Sequence, residues 1–540
     1  MIEFEHKLPA MNIDGKQNGT YNNRELGFPS ILTTTDYRLG EFLHILRSNI
    51  YADRSLVFID KKILMCNKNW IRDHVHVMKG MKYFEHDLSS FLNFIIDTQR
   101  EDGQYYELIK QYDDYHWKFV NEDCRVMYPE DNLTLVRLEL EADIEYLVVE
   151  GAMYLYQITG DDNWLRSVLP KLEKGINYIT SDKKRWDIEH GLVKRPFTID
   201  TWDFTDNPNS HDDRRIHDDE PMSIMHGDNS GVYQAMKQLA WFNRRLDREK
   251  AACGWDARAE TLKQNMIKHL WNGSFFIHQL HINHDGIDDK ERERLSLSNT
   301  YDINRGLTDI PMSRAIIEEY MKRRNTTKKF AEWFTIDPPY EQFLNRMDGE
   351  YVNGSISPFT AAELAKAAFN NGFEEYGWDI VSRFIELAER DKNVFFLYYP
   401  DSKPQPDGGP SSWGAAAFIS AVDEGLAGIK NMGVGYDEIM FSPKFPVTHY
   451  TELRYITGYE LTHTMVDVKF ILKEEGMRYD IISPAKKITA SILLPKGKKA
   501  SKLMLNGVET DFDIHTVGES EYVDCTVVQC QKNMSFEIIF

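Results

Sequence analysis

The spacing of the apolar residues changes once along the chain, close to Gly433, and this change constrains the fold more than any other feature. From residue 36 to that point, apolar residues recur at the spacing of helices that are packed by one face. After it, apolar and polar residues alternate between Gly, Pro and Asn-Gly turns, which is typical of antiparallel strands. The pattern predicts a mainly α protein with an extended arm over 1–35, a helical region over 36–433 and an antiparallel β-domain over 434–540.

Short turn signals divide the helical region into hairpins. One periodic segment ends at Gly160, a common residue after a helix, and Asp161 can cap the helix that follows. A later pair is divided at Asn371-Gly372. We therefore expect roughly ten to twelve helices, mostly antiparallel neighbours joined by short turns. In the C-terminal region, Asn506-Gly507 is the strongest available signal for a two-residue hairpin turn.

Charge and composition limit the class of protein. The 540 residues carry a formal net charge of −21, which repels phosphate backbones, so we expect no nucleic-acid partner. No apolar run reaches the length of a membrane span and the first residues lack the apolar core of a secretory signal, so we expect a cytoplasmic protein without a membrane partner. The five cysteines lack the spacing of zinc ligands or of a disulfide framework. The sequence suggests no cofactor and leaves the oligomeric state open, a homo-oligomer included.

The most acidic segment, residues 195–231, contains eight Asp, one Glu and three His in 37 residues. It follows neither the helix nor the strand period, so we expect a long loop, and structureless loops of this length within domains are often functional. Within it, Asp203 lies between Trp202 and Phe204, whose rings would exclude water and raise the pKa of its carboxyl group. Asp203 is therefore a candidate functional acid.

Other interpretations of the same segment stay open. It is a solvated acidic rim in the simplest case, and Asp200 and Asp206 are rivals of Asp203 as the functional carboxyl. The side chains that could offer ligands to a hard cation are His211, Asp212, Asp213, His217, Asp218 and Asp219. Their spacing matches no known metal-binding loop, so we expect no metal.

Four short motifs occur in an order known from one group of enzymes. Trp70-Ile71-Arg72-Asp73-His74 resembles a W-x-R-D entry motif, and Trp202-Asp203-Phe204 resembles the G-W-D-F-S segment of trehalases. Residues 351–358 (YVNGSISP) resemble a Y-x-N-G-x-x-x-P segment, and residues 412–417 (SWGAAA) resemble a G-W-[ST]-x-x motif that opens a final helix. With these motifs the chain resembles the six-hairpin glycosidases, the (α/α)6-barrel glycoside hydrolases, and among them the trehalase, processing α-glucosidase and rhamnosidase-like group.

This resemblance implies a fold, a reaction and a set of site residues. The fold is an (α/α)6 toroid followed by a β-domain, and the reaction is hydrolysis of an O-glycosidic bond, with inversion, in a carbohydrate whose sugar the motifs do not name. Because the sequence shows no secretory signal, we expect the substrate to be a small oligosaccharide. Asp203 corresponds to the general acid. The residues expected to contact substrate are Arg72, Asp73, Trp202, Tyr351, Asn353, Asp407 and Trp413. For Arg72 and Asp73 the alternative is a buried ion pair, and for Trp413 it is a place in the core.

The general base departs from the family pattern. Trehalases and processing α-glucosidases place a Glu shortly before the final motif, whereas residues 394–410 contain none. Glu350 and Asp401 are the catalytic candidates, with Asp407 as a further alternative. If the protein supplies no base, inorganic phosphate attacks in place of water, as in phosphorylases of this fold.

Other function classes also use helical toroids. Sugar epimerases and polysaccharide lyases share the architecture, although an acidic site repels the uronates that a lyase must bind. A non-catalytic helical scaffold is a further alternative. In a hydrolase, Asp203, Arg72 and Trp413 should converge on one pocket with Glu350 or Asp401, whereas in a scaffold they should be dispersed.

Overall fold

The computed structural model describes residues 31–111, 124–202, 214–285, 288 and 290–540. Most of the expected N-terminal arm, Asp203, Asp206 and residues 211–213 lie outside these ranges. The helices are α1 Tyr37–Ala52, α2 Ile71–Met81, α3 Ser90–Asp97, α4 Ile144–Thr159, α5 Asp162–Ile179, α6 His226–Arg245, α7 Glu249–Leu270, α8 Ser298–Asn304, α9 Ile310–Arg324, α10 Pro358–Phe369, α11 Glu374–Asp391 and α12 Ser412–Ser420, which continues as a π-helical turn over Ala421–Leu426.

Short strands lie between the helices, and a long series of strands follows them. The strands within the helical region are β1 Thr33–Thr34, β2 Arg54–Ile59, β3 Lys62–Asn67, β4 Leu108–Gln111, β5 Arg125–Tyr128, β6 Leu133–Val136, β7 Trp186–Asp187, β8 Leu192–Val193, β9 Arg195–Pro196, β10 Met222–Met225, β11 Gln279–His281, β12 Leu295–Ser296 and β13 Ile336–Asp337. The C-terminal strands are β14 Ile429–Asn431, β15 Glu438–Phe441, β16 Glu452–Tyr459, β17 Thr464–Lys473, β18 Gly476–Ile482, β19 Lys487–Leu493, β20 Lys502–Leu505, β21 Val508–Thr510, β22 Asp513–Val517, β23 Ser520–Val528 and β24 Asn533–Ile539.

The even-numbered helices form the interior of the helical region. Their contacts run from α2 to α4, α6, α8, α10 and α12, and α12 contacts α2 again. The odd-numbered helices pack outside them, as α7 does on α6 and α11 on α10. Burial agrees with this arrangement, because α10 buries every residue except Lys366 whereas α7 buries six of its 22. We call the even-numbered set the inner helices. Within the described ranges, no helix is both long and apolar enough to cross a membrane.

Local capping explains where several helices begin and end. Gly160 ends α4 in the left-handed conformation, with φ 62°, and the carboxylate of Asp161 accepts hydrogen bonds from the backbone N–H groups of Asn163 and Trp164. At α10, Ser357 caps the N-terminus and Pro358 occupies the first turn, where its missing N–H costs nothing. Each such side-chain cap contributes about 1 kcal/mol to helix stability.

The C-terminal region is sandwich-like, with two sheets. One sheet has the order β1-β16-β17-β18-β24-β20-β21 and the other β14-β15-β19-β23-β22. They pack through aromatic rings, since Phe441 of β15 lies 5.5 Å from Tyr479 of β18 and 6.2 Å from Phe536 of β24. Strand pairing begins at Ile429, five residues before the predicted start of the β-domain at residue 434. In addition, β15 and β19 pair in parallel, whereas the sequence predicted antiparallel strands throughout. The long connection through the other sheet permits this parallel pair.

Two segments between helices contain short strands that the sequence pattern does not show. The connection after α3 forms the sheet β4-β6-β5, and the acidic segment contains β9 and β10, which pair with each other. The same segment also ends in a helix, because α6 already begins at His226. The sequence pattern missed these elements because the strands are short and the first turn of α6 is polar. The long-loop interpretation of residues 195–231 is therefore wrong at both ends.

Candidate functional site

An aromatic cluster lies where three distant segments of the chain meet near the N-terminal ends of the inner helices. The indole of Trp202 stands 5.7 Å from the ring of Tyr351, at 82°, and 5.9 Å from the ring of Phe396. Trp202 Nε1 donates a hydrogen bond to Tyr351 Oη at 3.1 Å. Trp202 is 8% exposed, whereas Tyr351 and Phe396 are half-buried, so the outer rings keep accessible faces.

Trp413 extends this cluster along the first turn of α12. Its ring lies 6.4 Å from that of Phe396 and stacks on His76 at 3.9 Å and 10°. Burial lowers the pKa of His76 well below its ordinary value, so this imidazole is neutral and stacks as a flat uncharged ring. Trp413 Nε1 donates to Tyr301 Oη at 3.0 Å, which fixes the ring plane. We call Trp202, Tyr351, Phe396, Trp413 and His76 the aromatic cluster.

An ion pair lies beside the cluster. Arg346 Nη1 lies 3.0 Å from a carboxylate oxygen of Asp407, and the Arg346 guanidinium lies 5.5 Å from the centre of the Tyr351 ring. Tyr351 itself has a left-handed backbone, with φ 48°, and its N–H donates to Gln405 Oε1 at 2.8 Å. A non-glycine residue in this conformation costs of order 1–3 kcal/mol and is often found at functional sites. Arg346 thus connects Tyr351 and Asp407, which are both predicted substrate contacts.

The two first candidates for the general base, Glu350 and Asp401, differ in their surroundings. Glu350 is half-buried next to Tyr351 in the chain, and its carboxylate accepts from the backbone N–H of Met347 at 2.9 Å. Asp401 is exposed and pairs with Lys403 at 2.6 Å, and this hydrogen bond lowers the pKa of the carboxyl. The hydrogen-bond partner of Asp401 among the described residues is Lys403, which is not part of the aromatic cluster.

Asn353 shapes the loop that carries Tyr351. It is fully buried, and its Nδ2 donates to the carbonyl oxygens of Tyr340 and Arg346, both at 3.0 Å. Its Oδ1 accepts from the backbone N–H of Tyr340 at 2.9 Å. With both ends of the amide satisfied, Asn353 holds the loop in place instead of presenting a free amide to a ligand.

Arg72 forms a buried ion pair, which was the alternative to a substrate contact that the sequence left open. Its guanidinium binds Asp143 through two hydrogen bonds, 2.7 Å from Nε and 2.9 Å from Nη2, and lies 2.7 Å from Glu141. Burial by itself raises the pKa of Asp143, but the charge and hydrogen bonds of Arg72 outweigh it and the pKa is lowered. The neighbouring Asp73 is half-buried in the first turn of α2.

Sequence reasoning missed a second buried pair, Arg195 and Asp228. Arg195 donates to the carbonyl oxygen of Trp202 and lies 3.7 Å from Asp228 in the first turn of α6. Both Asp228 oxygens are buried and accept no hydrogen bond from the described residues. Burial, with the nearby Asp143 and Asp200 carboxylates, raises the pKa of Asp228 to about 6, against the opposing effect of Arg195. Asp228 was missed because it lies in the segment expected to be a loop.

Asp200, the rival acid, has a structural role. Its carboxylate accepts from the backbone N–H of Ser298 at 3.1 Å and from the Ser298 hydroxyl, so it binds the first residue of α8. Its own N–H donates to His278 Nε2 at 2.8 Å. Among the described residues, no group of three or more His, Cys, Asp or Glu is placed to hold a metal ion. Residues 211–213, which the sequence offered as further ligands for a cation, lie outside the described ranges.

No known family model matches this chain, and no curated protein matches it in sequence. Solved structures do match. The α-L-rhamnosidase from Dictyoglumus thermophilum is 13% identical with a TM-score of 0.57, covering 95% of this chain and 51% of its own. The GH78 family rhamnosidase of Bacillus sp. GL1 is 13% identical with a TM-score of 0.57, covering 85% and 42%. A structure named sialidase is 13% identical with a TM-score of 0.56, covering 92% and 41%.

The chain spans about half the length of these solved structures, or somewhat less. Their names include two kinds of glycosidase, so the match carries no information on the sugar. At this low identity the likeness concerns the fold. The chain therefore shares the fold of glycosidase structures, among them GH78 rhamnosidases.

Proposed function

We propose that this chain is a glycoside hydrolase that cleaves an O-glycosidic bond of a small oligosaccharide. The observation that carries the proposal is the aromatic cluster, in which Trp202, Tyr351, Phe396 and Trp413 come from distant parts of the chain and meet beside the Arg346–Asp407 ion pair. A sugar ring has an apolar face and a hydroxyl edge, and half-buried rings next to paired charges complement both. The shared fold with glycosidase structures supports the same reaction class.

We infer that the helical region is an (α/α)6 toroid. The contacts that lead from α2 through the inner helices and back to α2 support a closed ring, with the odd-numbered helices outside. Arg72, Asp228 and Trp413 belong to the first turns of α2, α6 and α12, respectively. A toroid would gather such first turns at one end, and this supports a binding site at that end.

For the mechanism we propose two carboxyl groups and inversion. The acid protonates the leaving oxygen while a carboxylate across the sugar ring activates water, and inverting enzymes hold the two groups about 6.5–9.5 Å apart. Asp203 is proposed as the acid from the sequence, because it directly follows Trp202. Asp407 and Glu350 are the better-supported base candidates, since one pairs with a side chain beside Tyr351 and the other precedes Tyr351. Asp401, paired with Lys403 on the surface, has the weakest support.

Buried charges, one of which contacts the backbone of Trp202, would position the site. Arg195 binds the Trp202 carbonyl and neighbours Asp228, while Asp143 and Glu141 hold Arg72. Removing one partner of a buried ion pair leaves an unpaired buried charge, which is strongly destabilising. We therefore propose that Arg72, with Asp73 next to it in the first turn of α2, stabilises the site through this ion pair.

An inverting phosphorylase is the second candidate. The absence of Glu from residues 394–410 favours it, because a phosphorylase needs no protein base. The convergence of Trp202, Tyr351 and Trp413 supports an enzyme over a helical scaffold. Epimerase and lyase activities remain alternatives on the same fold without an observation in their favour.

The test is a screen of aryl glycosides and disaccharides with the full chain, each with and without inorganic phosphate. We expect free sugar to form in both conditions. Product that forms only with phosphate, as a sugar 1-phosphate, would establish the phosphorylase instead. No turnover of any glycoside in either condition would count against both.

A further inference from the structure

A second cavity lies away from the aromatic cluster, toward the C-terminal ends of the inner helices. Its volume is about 220 Å³, and it is closed on one side by β14 and the residues next to it. Lys79 and Lys82, at the end of α2, line it, whereas Arg72 lies in the first turn of the same helix. Tyr301 separates the two regions, because its ring lines the cavity and its hydroxyl accepts from Trp413 of the aromatic cluster.

The lining of this cavity has more cations than carboxylates. Its charged side chains are Lys79, Lys82, Arg305, Lys366 and Lys430 against Glu150, Glu363 and Glu424. Glu363 pairs with Lys79, and Glu424 is shared by Lys82 at 2.7 Å and Lys366 at 2.5 Å. Two carboxylates thus serve three lysines, which leaves an excess of positive charge in a small space.

Lys430 is the lysine of this lining that lacks a direct carboxylate partner, and the Glu424 charge acts on it only at longer range. No described residue accepts a hydrogen bond from its ammonium group or forms an ion pair with it. Burial, together with the Lys366 charge, lowers the pKa of Lys430 to about 8, so the ammonium is still charged at neutral pH. Lys430 is half-buried, so its ammonium group loses part of its hydration, and an anion in the cavity would compensate for that loss.

A polar amide in the lining is also unsatisfied. Gln238 lines the cavity, and its Oε1 is buried without a hydrogen-bond partner among the described residues. The oxygen and nitrogen of an amide are interchangeable by rotation, so Gln238 can instead present its N–H groups to an acceptor. At the rim, Met432 is 50% exposed, which leaves an entrance from solvent.

We propose that this cavity binds a small oxyanion, of the phosphate or sulfate class, between Lys430, Lys366 and Lys82. The volume decides the size of the ligand, because pockets for drug-sized molecules measure about 300–1,000 Å³ and this cavity is smaller. The oxyanion is a free inorganic ion or the charged group of a small metabolite. Since the cavity does not share the aromatic cluster, this inference does not depend on the proposed glycosidase activity.

The test is titration calorimetry of the full chain with sodium sulfate, inorganic phosphate and glycerol phosphate, each against sodium chloride at equal ionic strength. We expect saturable binding to the wild type and binding at least ten-fold weaker to Lys430→Met, which keeps the apolar stem and removes the charge. The matched control is Lys486→Met, because the Lys486 side chain is 81% exposed and lies outside the cavity. Tighter binding of glycerol phosphate than of inorganic phosphate would identify a metabolite as the ligand.

Two results would overturn the proposal: no saturable binding to the wild type in the millimolar range, or equal binding to Lys430→Met and wild type. If Lys430→Met does not fold, crystals of the wild type soaked in selenate decide the matter. An anomalous selenium peak beside Lys430 supports the site, and peaks elsewhere or none refute it.

Discussion

The indole N–H of Trp202 donates to the hydroxyl of Tyr351 across 149 residues of sequence, at 3.1 Å. One partner follows the strand β9 and the other precedes α10, so this bond connects two of the segments that resemble glycosidase motifs. Because Tyr351 is also held by Gln405 and sits in a left-handed conformation, the two rings have a defined relative position. The bond therefore predicts that the two side chains act as one unit.

A double-mutant cycle tests this coupling. Trp202→Phe and Tyr351→Phe each remove the same hydrogen bond and keep a ring, so each should lower kcat/KM by about five-fold, the equivalent of about 1 kcal/mol. The double variant should lose no more than either single variant. Tyr37→Phe is the control, since Tyr37 is 79% exposed on α1. Losses that multiply in the double variant would show that the residues act independently.

Replacing the proposed acid should affect substrates according to their leaving groups. We expect Asp203→Asn to lower kcat by about 10²–10⁴-fold on natural glycosides, because proton donation to the leaving oxygen is lost. Aryl glycosides with acidic phenols as leaving groups need no proton and should lose much less. Asp206→Asn is the matched control, three residues further along, and should retain activity. Full activity of Asp203→Asn on a poor leaving group would reject this residue as the acid.

The three base candidates can be separated by substitution and rescue. Asp407→Asn or Glu350→Gln should lower kcat on every substrate, because the base takes a proton from the attacking water in the same displacement, whichever leaving group departs. Added azide should partly restore turnover in the variant that lacks the base, and NMR of the first product should show inverted configuration. Asp401→Asn should stay close to wild type, since this carboxylate is exposed and paired with Lys403. The largest loss in Asp401→Asn would reverse the assignment.

The buried Asp228 predicts a specific dependence of stability on pH. Its pKa of about 6 lies roughly two pH units above the ordinary Asp value of about 3.9, so its contribution is fully present below about pH 4 and is lost as pH rises through 6. Relative to Asp228→Asn, the wild type should lose about 2 kcal/mol of unfolding free energy between pH 4 and pH 7, at no more than about 1.36 kcal/mol per pH unit. Urea unfolding of both proteins across this range measures the difference, and a constant difference would show that Asp228 titrates normally.

Several features of the fold were predictable because local chemistry determines them. The boundary at Gly160 and Asp161 follows from a left-handed residue and a side-chain cap. The Asn506-Gly507 turn joins β20 and β21, and both residues have positive φ, at 50° and 79°. Such signals involve only neighbours in sequence, so no tertiary contact needs to be known.

The features that were missed depend on partners far along the chain. α8 has only seven residues, and its first residue is held by Asp200, which is 98 positions earlier. Arg72 fitted both a substrate contact and a buried ion pair, and only the position of Asp143 distinguishes them. The aromatic cluster was partly foreseen through Trp202, Tyr351 and Trp413, whereas nothing in the sequence marks Phe396 or His76 as their neighbours.

Helices α2 and α12 pack closely against each other, and their contact closes the series of contacts among the inner helices. This contact can be tested by substitution. A Cβ atom on Gly80 would lie 2.6 Å from the Cα atom of Ala416, and a backbone atom in a packed helix cannot move away cheaply. Gly80→Ala should therefore lower the free energy of unfolding by about 1–3 kcal/mol, as overpacking does in other cores.

Gly254→Ala is the matched control for this overpacking. Gly254 is exposed on α7 with no atom within 4 Å of an added Cβ, so the better helix propensity of Ala should stabilise the protein by up to about 1 kcal/mol. Urea unfolding of both variants measures the two effects, which should have opposite signs. If Gly80→Ala were as stable as Gly254→Ala, α2 and α12 would be further apart than described, and the toroid inferred from their contact would lose its support.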